Sequence, residues 1–160
     1  MARIDAILPL VGKLNYTWTN TESLLIYLIA HLMGTSKEAA IIVFLTLNTT
    51  RARFDLVERL AKMGSTSDAT RITVLKIIGT LKSESRLRNK YNHCIYSFDE
   101  NGELESTQLM RIAEFGDDLR YGKVEELDDD EIARISSTIT RIAEVNKSIW
   151  AFLGEHHISA

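Results

Sequence analysis

The spacing of apolar residues changes at residue 93, and that change restricts the fold more than any other feature of the chain. Up to His93 the apolar positions recur about every 3.6 residues, the period of helices with one buried face. Beyond it, short segments alternate in character between turn residues, as half-buried strands do. A mainly helical protein with a small appended antiparallel sheet is therefore expected.

Start and stop signals divide the first 93 residues into four helices. The first covers roughly residues 3–14, with Ile4, Ile7, Leu8 and Val11 on one side and Pro9 limiting its regularity. The second opens with a Thr19/Glu22 capping box and stops at Gly34. A Thr35/Glu38 box opens the third, which runs from about 37 to 63 until Gly64 and STSD end it. The fourth runs from near Asp68 to about His93. CIYSF, QLMRIAEF and LRYGKVEEL, separated by DENG and GDD, predict a three-stranded meander over 94–127, with Asn-Gly the strongest turn signal. Asp128 and Glu131 cap a final helix, 128–153, with a stripe of Ile132, Ile135, Ile139, Ile142, Val145, Ile149 and Phe152. At 160 residues, the chain reads as a single domain, 1–160.

Composition removes several classes. With 45% apolar and 26% charged residues and one proline, the chain is globular, not disordered or fibrous. Cys94 is the sole cysteine, so an internal disulfide and a cysteine-based metal cluster are both excluded, and a reducing, cytoplasmic setting fits. Asp5 interrupts what would be the apolar stretch of a signal peptide. LLIYLIAHLM and AAIIVFLTL fall well short of the roughly 18 residues a membrane span needs. No glycine-rich phosphate loop, nucleophile elbow or zinc-protease motif occurs, and LDDDE reads as a helix start complementing its dipole. Neither a metal nor a cofactor is expected.

The net charge of −3 conceals an asymmetry. Residues 1–93 hold 13 basic and 7 acidic side chains, a balance of +6; residues 94–160 hold 6 and 15, a balance of −9. Extensive coating by nucleic acid is disfavoured, and any RNA contact should be local.

One constellation carries chemistry. Ser85, Asn89 and His93 are four apart and lie nearly on one line of the fourth helix, continuing the apolar face of Val74, Ile78 and Leu81, with Arg88 about 100° to one side. An arginine can grip a phosphate oxygen bidentately, and an imidazole can move the proton of a ribose 2′-hydroxyl or of the leaving oxygen. Arg88 is the candidate for the phosphate, His93 for general acid/base work and Asn89 for orientation, with Ser85 extending the row. Arg51 and Arg53 could form a phosphate-contacting wall, and Tyr91 could stack a base. Each also has a plainer reading. Arg88 and His93 fit satisfied helix-end residues, Arg51 and Arg53 a solvated face paired with Asp55 and Glu58, and Tyr91 core packing.

Arg88-Asn89-Lys90-Tyr91-Asn92-His93 resembles the HEPN signature: an arginine, a polar residue, and a histidine four to six residues on. LNTTRARFDLVERLAKM, followed after a helix by RNKYNH, also resembles a group of bacterial proteins without assigned activity that have the same order of elements. The resemblance covers roughly residues 20–98. It implies a HEPN-like bundle of four to five helices, to which the meander and the long acidic final helix are additions, and a metal-independent endoribonuclease or toxin-like protein. It further implies a homodimer joining two motifs in one cleft, RNA as substrate and a possible antitoxin partner. The alternative is a non-catalytic dimeric interaction protein that keeps the fold and assembles through its apolar helical hairpin.

Overall fold

A computed structural model describes residues 3–159. The helices are α1 (Arg3–Glu22), α2 (Leu25–Met33), α3 (Lys37–Thr46), α4 (Thr50–Ala61), α5 (Asp68–Asn92) and α6 (Asp129–Glu155). The strands are β1 (Cys94–Phe98), β2 (Leu104–Leu109), β3 (Ile112–Phe115), β4 (Asp118–Tyr121) and β5 (Val124–Glu126). The fold class is the expected one, a helical bundle with a small three-stranded antiparallel sheet. The chain divides into two compact units, one made of residues up to Tyr16 with Ser85–Thr140, the other of Thr17–Glu84 with residues from Arg141 onward.

The second unit is wholly helical. Trp18, Leu25, Leu28, Ile29, Phe54, Val57, Val74, Ile78, Ile142 and Ile149 are buried in it. α1 runs on to Glu22 despite Pro9, and only Ser23 and Leu24 separate it from α2. That junction is tightened by i→i−3 bonds such as Leu24 N–H to Thr21 O and Tyr27 N–H to Leu24 O. The expected Thr19/Glu22 box is therefore absent, because Thr19 lies within a continuing helix. Instead the Glu22 carboxylate is buried, accepting from Trp18 Nε1 (2.8 Å), Thr50 Oγ1 (2.9 Å) and Arg53 Nη1 (3.1 Å). A buried carboxylate needs such partners. Among the described residues the helices number six, or five with α1 and α2 taken as one run.

The third expected helix is in fact two. Leu47 is extended, and Thr49 Oγ1 accepts from Ala52 N–H at 3.1 Å to start α4. Arg53 Nε donates to the carbonyls of Phe44 and Leu47, the groups that the end of α3 leaves open. The cap of α3 is Ser36, accepting from Ala39 N–H, one residue beyond the expected Thr35.

The first unit holds the sheet, ordered β1-β2-β5. β1 and β2 pair antiparallel, Cys94 opposite Leu109, and close through a turn in which Asp99 accepts from Asn101 and Glu103 N–H and Gly102 takes φ 77°. Two of the expected strands are each broken. QLMRIAEF splits at Met110, where Arg111 N–H returns to Leu109 O at 2.8 Å, and LRYGKVEEL splits at Gly122. The middle portions pair with each other as a separate β3-β4 hairpin, with Gly116 at φ 62° in its two-residue turn. The expected cap of α6 is present, Glu131 N–H donating to Asp128 Oδ1 at 2.8 Å.

Candidate functional site at the end of the fifth helix

His93 is the one residue between α5 and β1. Its N–H donates to Lys90 O, closing the helix, and its carbonyl accepts from Met110 N–H at 2.9 Å. The β1-β2 register thus places Leu109, Met110 and Arg111 against the last turns of α5. Between them lies a cavity of about 690 Å³ lined by Arg86, Asn89, Lys90, His93, Met110 and Arg111, among others. On α5 the polar lining follows i, i+3, i+4, i+7, which is one helical face.

The cations of this cavity are not equivalent. Lys90 is bound by both Glu125 and Glu131, the latter at 2.5 Å, and its side chain is only 12% exposed. Burial would pull its pKa down, but hydrogen bonds to the two carboxylates outweigh this and raise it. The same bond from Lys90 holds the Glu125 carboxyl below its ordinary value. Lys90 is thus neutralised in place, while Arg86 and Arg111 are exposed cations. His93 and Asn89 are exposed as well.

The other expected site residues are distributed differently. Arg88 is half-buried and does not line the cavity; its Nη1 donates to Asn89 Oδ1 at 3.1 Å. Ser85 is half-buried and lies outside the cavity too. Tyr91 is buried, donating to Glu131 at 2.7 Å, and burial first, then that carboxylate, pushes its phenol well above the usual range. It is a core residue and stacks no base. Arg51 is exposed in the helical unit, and Arg53 there is held by Glu22 and two carbonyls, with its guanidinium over the Phe44 ring at 4.0 Å. Arg53 so engaged serves the α3–α4 junction.

The expected row of Ser85, Asn89 and His93 does not continue the buried face. Each step of four residues turns 400°, so such a row drifts about 40° per step. The buried positions instead step alternately by four and three, through Thr70, Val74, Ile77, Leu81, Glu84 and Tyr91. Asn89 and His93 are left facing solvent. Arg86, which sequence reasoning passed over, shares their face by its i+3 and i+7 spacing. Arg111 had no such signal, because strand pairing alone brings it there.

Cys94 is buried, which pushes its thiol up, so it is no thiolate nucleophile at neutral pH. A second cavity, about 310 Å³ and lined by His31, Thr66, Ser67, Thr70 and His156 among others, belongs to the helical unit. His31 is exposed and meets His156 edge-on at 5.1 Å between ring centroids. Among the described residues, no helix is long and apolar enough to cross a membrane, and no three ligating side chains converge as a metal site would require. No protein-family model, curated protein or solved structure matches the chain.

Proposed function

We propose that the chain is a metal-independent endoribonuclease of HEPN type, acting in the cytoplasm on RNA. One observation carries this reading: His93 and Asn89 share a solvent-reachable cavity with two exposed arginines, Arg86 and Arg111. His93 supplies the general acid/base, taking the 2′-hydroxyl proton or protonating the leaving oxygen. Arg86 and Arg111 offset charge developing on the phosphate. Asn89 orients the imidazole or the phosphate, and Arg88 positions Asn89 through their side-chain bond. The phosphate-holding role that the resemblance gives to Arg88 is reassigned here to its neighbours. A toxin-like role held in check by an antitoxin, and a homodimer, belong to the same proposal.

The test is cleavage of an RNA transcript by purified protein in excess chelator. Wild type should cleave, and His93→Ala should lower the rate by about 10²–10⁴-fold with unchanged circular dichroism. Wild-type cleavage by His93→Ala, or no cleavage by either, rejects the reading.

A non-catalytic dimeric interaction protein is the second reading, and α3 favours it. KEAAIIVFLT is apolar nearly all round, a pattern of fully buried helices, yet Ile42 and Leu45 are 61% and 63% exposed.

A further inference from the structure

The cavity at His93 does not end at Arg111. Gly122 N–H donates to Arg111 O at 2.9 Å, so Arg111 and Gly122 extend the hairpin ladder by one pair. Alternation along a strand then puts Arg111, Ala113 and Phe115 on one face. Their cross-strand partners Arg120 and Asp118 share that face. Ile112, Leu119 and Tyr121 fall on the other, with Glu114. On the first face the Arg120 guanidinium lies over the Phe115 ring at 4.4 Å, and Phe115 is 54% exposed.

From Arg111 to Gly122 the hairpin holds two arginines against Glu114, Asp117 and Asp118, a net charge of −1, but its pleat sorts the charges. Arg111 and Arg120 stand against Asp118 alone on the face that begins at the cavity. From Arg111 to Phe115 this face runs about 13 Å along the strand. Cations following a backbone path, with an exposed ring and guanidinium pair at its far end, match what unpaired nucleic acid requires. Phosphates meet the arginines and a splayed base stacks on the ring. Paired bases keep their faces covered and cannot use such a platform.

We propose that this hairpin face is a binding track for single-stranded RNA leading to the His93 cavity, with Arg111 on a phosphate and Phe115 with Arg120 stacking a base. It rests on the nuclease reading for the choice of RNA and makes the substrate an unpaired strand.

The probe is a fluorescein-labelled twelve-nucleotide 2′-O-methyl RNA, which lacks the hydroxyl needed for cleavage, presented to the full chain single-stranded or as a duplex. Anisotropy should show at least tenfold tighter binding of the single strand. Arg111→Gln should weaken binding and reduce the slope of log affinity against log salt by about 1. Phe115→Leu, which keeps an apolar side chain in the hairpin, and Arg120→Gln should each weaken it about tenfold. Leu119→Ser, on the opposite face, should not.

Equal binding of duplex and single strand, or unchanged binding by folded Arg111→Gln and Phe115→Leu, overturns the track. So does a concentration-dependent dimer lost in Phe115→Leu while RNA binding persists, which assigns the face to self-association. If wild type never cleaves RNA yet binds in this pattern, the nuclease reading falls and the track stands. If His93-dependent cleavage occurs in Phe115→Leu and Arg120→Gln at wild-type rate with unchanged affinity, the reverse holds.

Discussion

Met110 N–H donates to the carbonyl of His93 at 2.9 Å, tying the last residue before the sheet to the first residue after β2. This bond continues the β1-β2 ladder by one step and fixes the backbone of His93 opposite that of Met110. The position of the imidazole relative to Arg111 is thus a property of strand register, and register is held by neighbours on both sides.

Gly122 is one such neighbour. A Cβ there would lie 2.0 Å from the Leu109 carbonyl oxygen, a backbone atom with no freedom to move aside. Gly122→Ala should destabilise the protein by about 2–3 kcal/mol in urea denaturation. It should also shift the amide resonances of His93 and Arg111, whereas Gly154→Ala, with open space at its Cβ, should leave both unchanged.

The cluster of Lys90, Tyr91, Glu125 and Glu131 predicts how stability depends on pH. Tyr91 and Lys90 have folded-state values above their unfolded ones, so their contribution is complete below about pH 10 and is lost as pH rises further. Glu125 has a lowered value, so its contribution is complete above about pH 4.3 and is lost as pH falls below that. Tyr91→Phe should cost about 1.5–3 kcal/mol at neutral pH, the range for a hydrogen bond to a charged group. Its melting temperature should fall less steeply than wild type's above pH 10. An alkaline limb as steep as wild type's would show that Tyr91 does not hold its proton.

Glu22 anchors the helical unit through Trp18, Thr50 and Arg53. Glu22→Ala leaves a half-buried guanidinium without its carboxylate and should cost about 3 kcal/mol, measured by chemical denaturation followed by circular dichroism. Thr50→Val removes one neutral bond from the same carboxylate and should cost about 1 kcal/mol. Equal losses in the two variants would mean that the ion pair adds nothing.

Exposed apolar residues on α3 bear on assembly. If α3 forms a homodimer contact, Ile42→Glu with Leu45→Glu should convert a dimer to a monomer in light scattering while preserving the helical signal. A dimer that survives both charges would place its interface elsewhere.

Much of the local structure was legible in the sequence. The change from helix to strand at His93 follows from the change of period, and the Asp128 cap of α6 and the Gly102 turn follow from residue type. Harder to read was the break at Leu47, because Thr49 can be a cap or an ordinary helical residue, and the accepting carbonyls of Phe44 and Leu47 select the cap. The direction of the polar row is hidden for a similar reason. Steps of four residues look like one face over a single turn and drift off it over three.

What the sequence by itself determined is local: where most helices and strands fall, and that RNKYNH ends the last helix before the sheet. Capping, turn preference and periodicity act within a few residues, so they can be read along the chain. Only the tertiary structure decided which side chains share a site. Lys90 is taken by two carboxylates, one of them 41 positions away, Arg53 by a carboxylate 31 positions away, and Arg111 reaches His93 through a strand pairing. Those partners are chosen by register and packing between distant segments, and no spacing within RNKYNH encodes them.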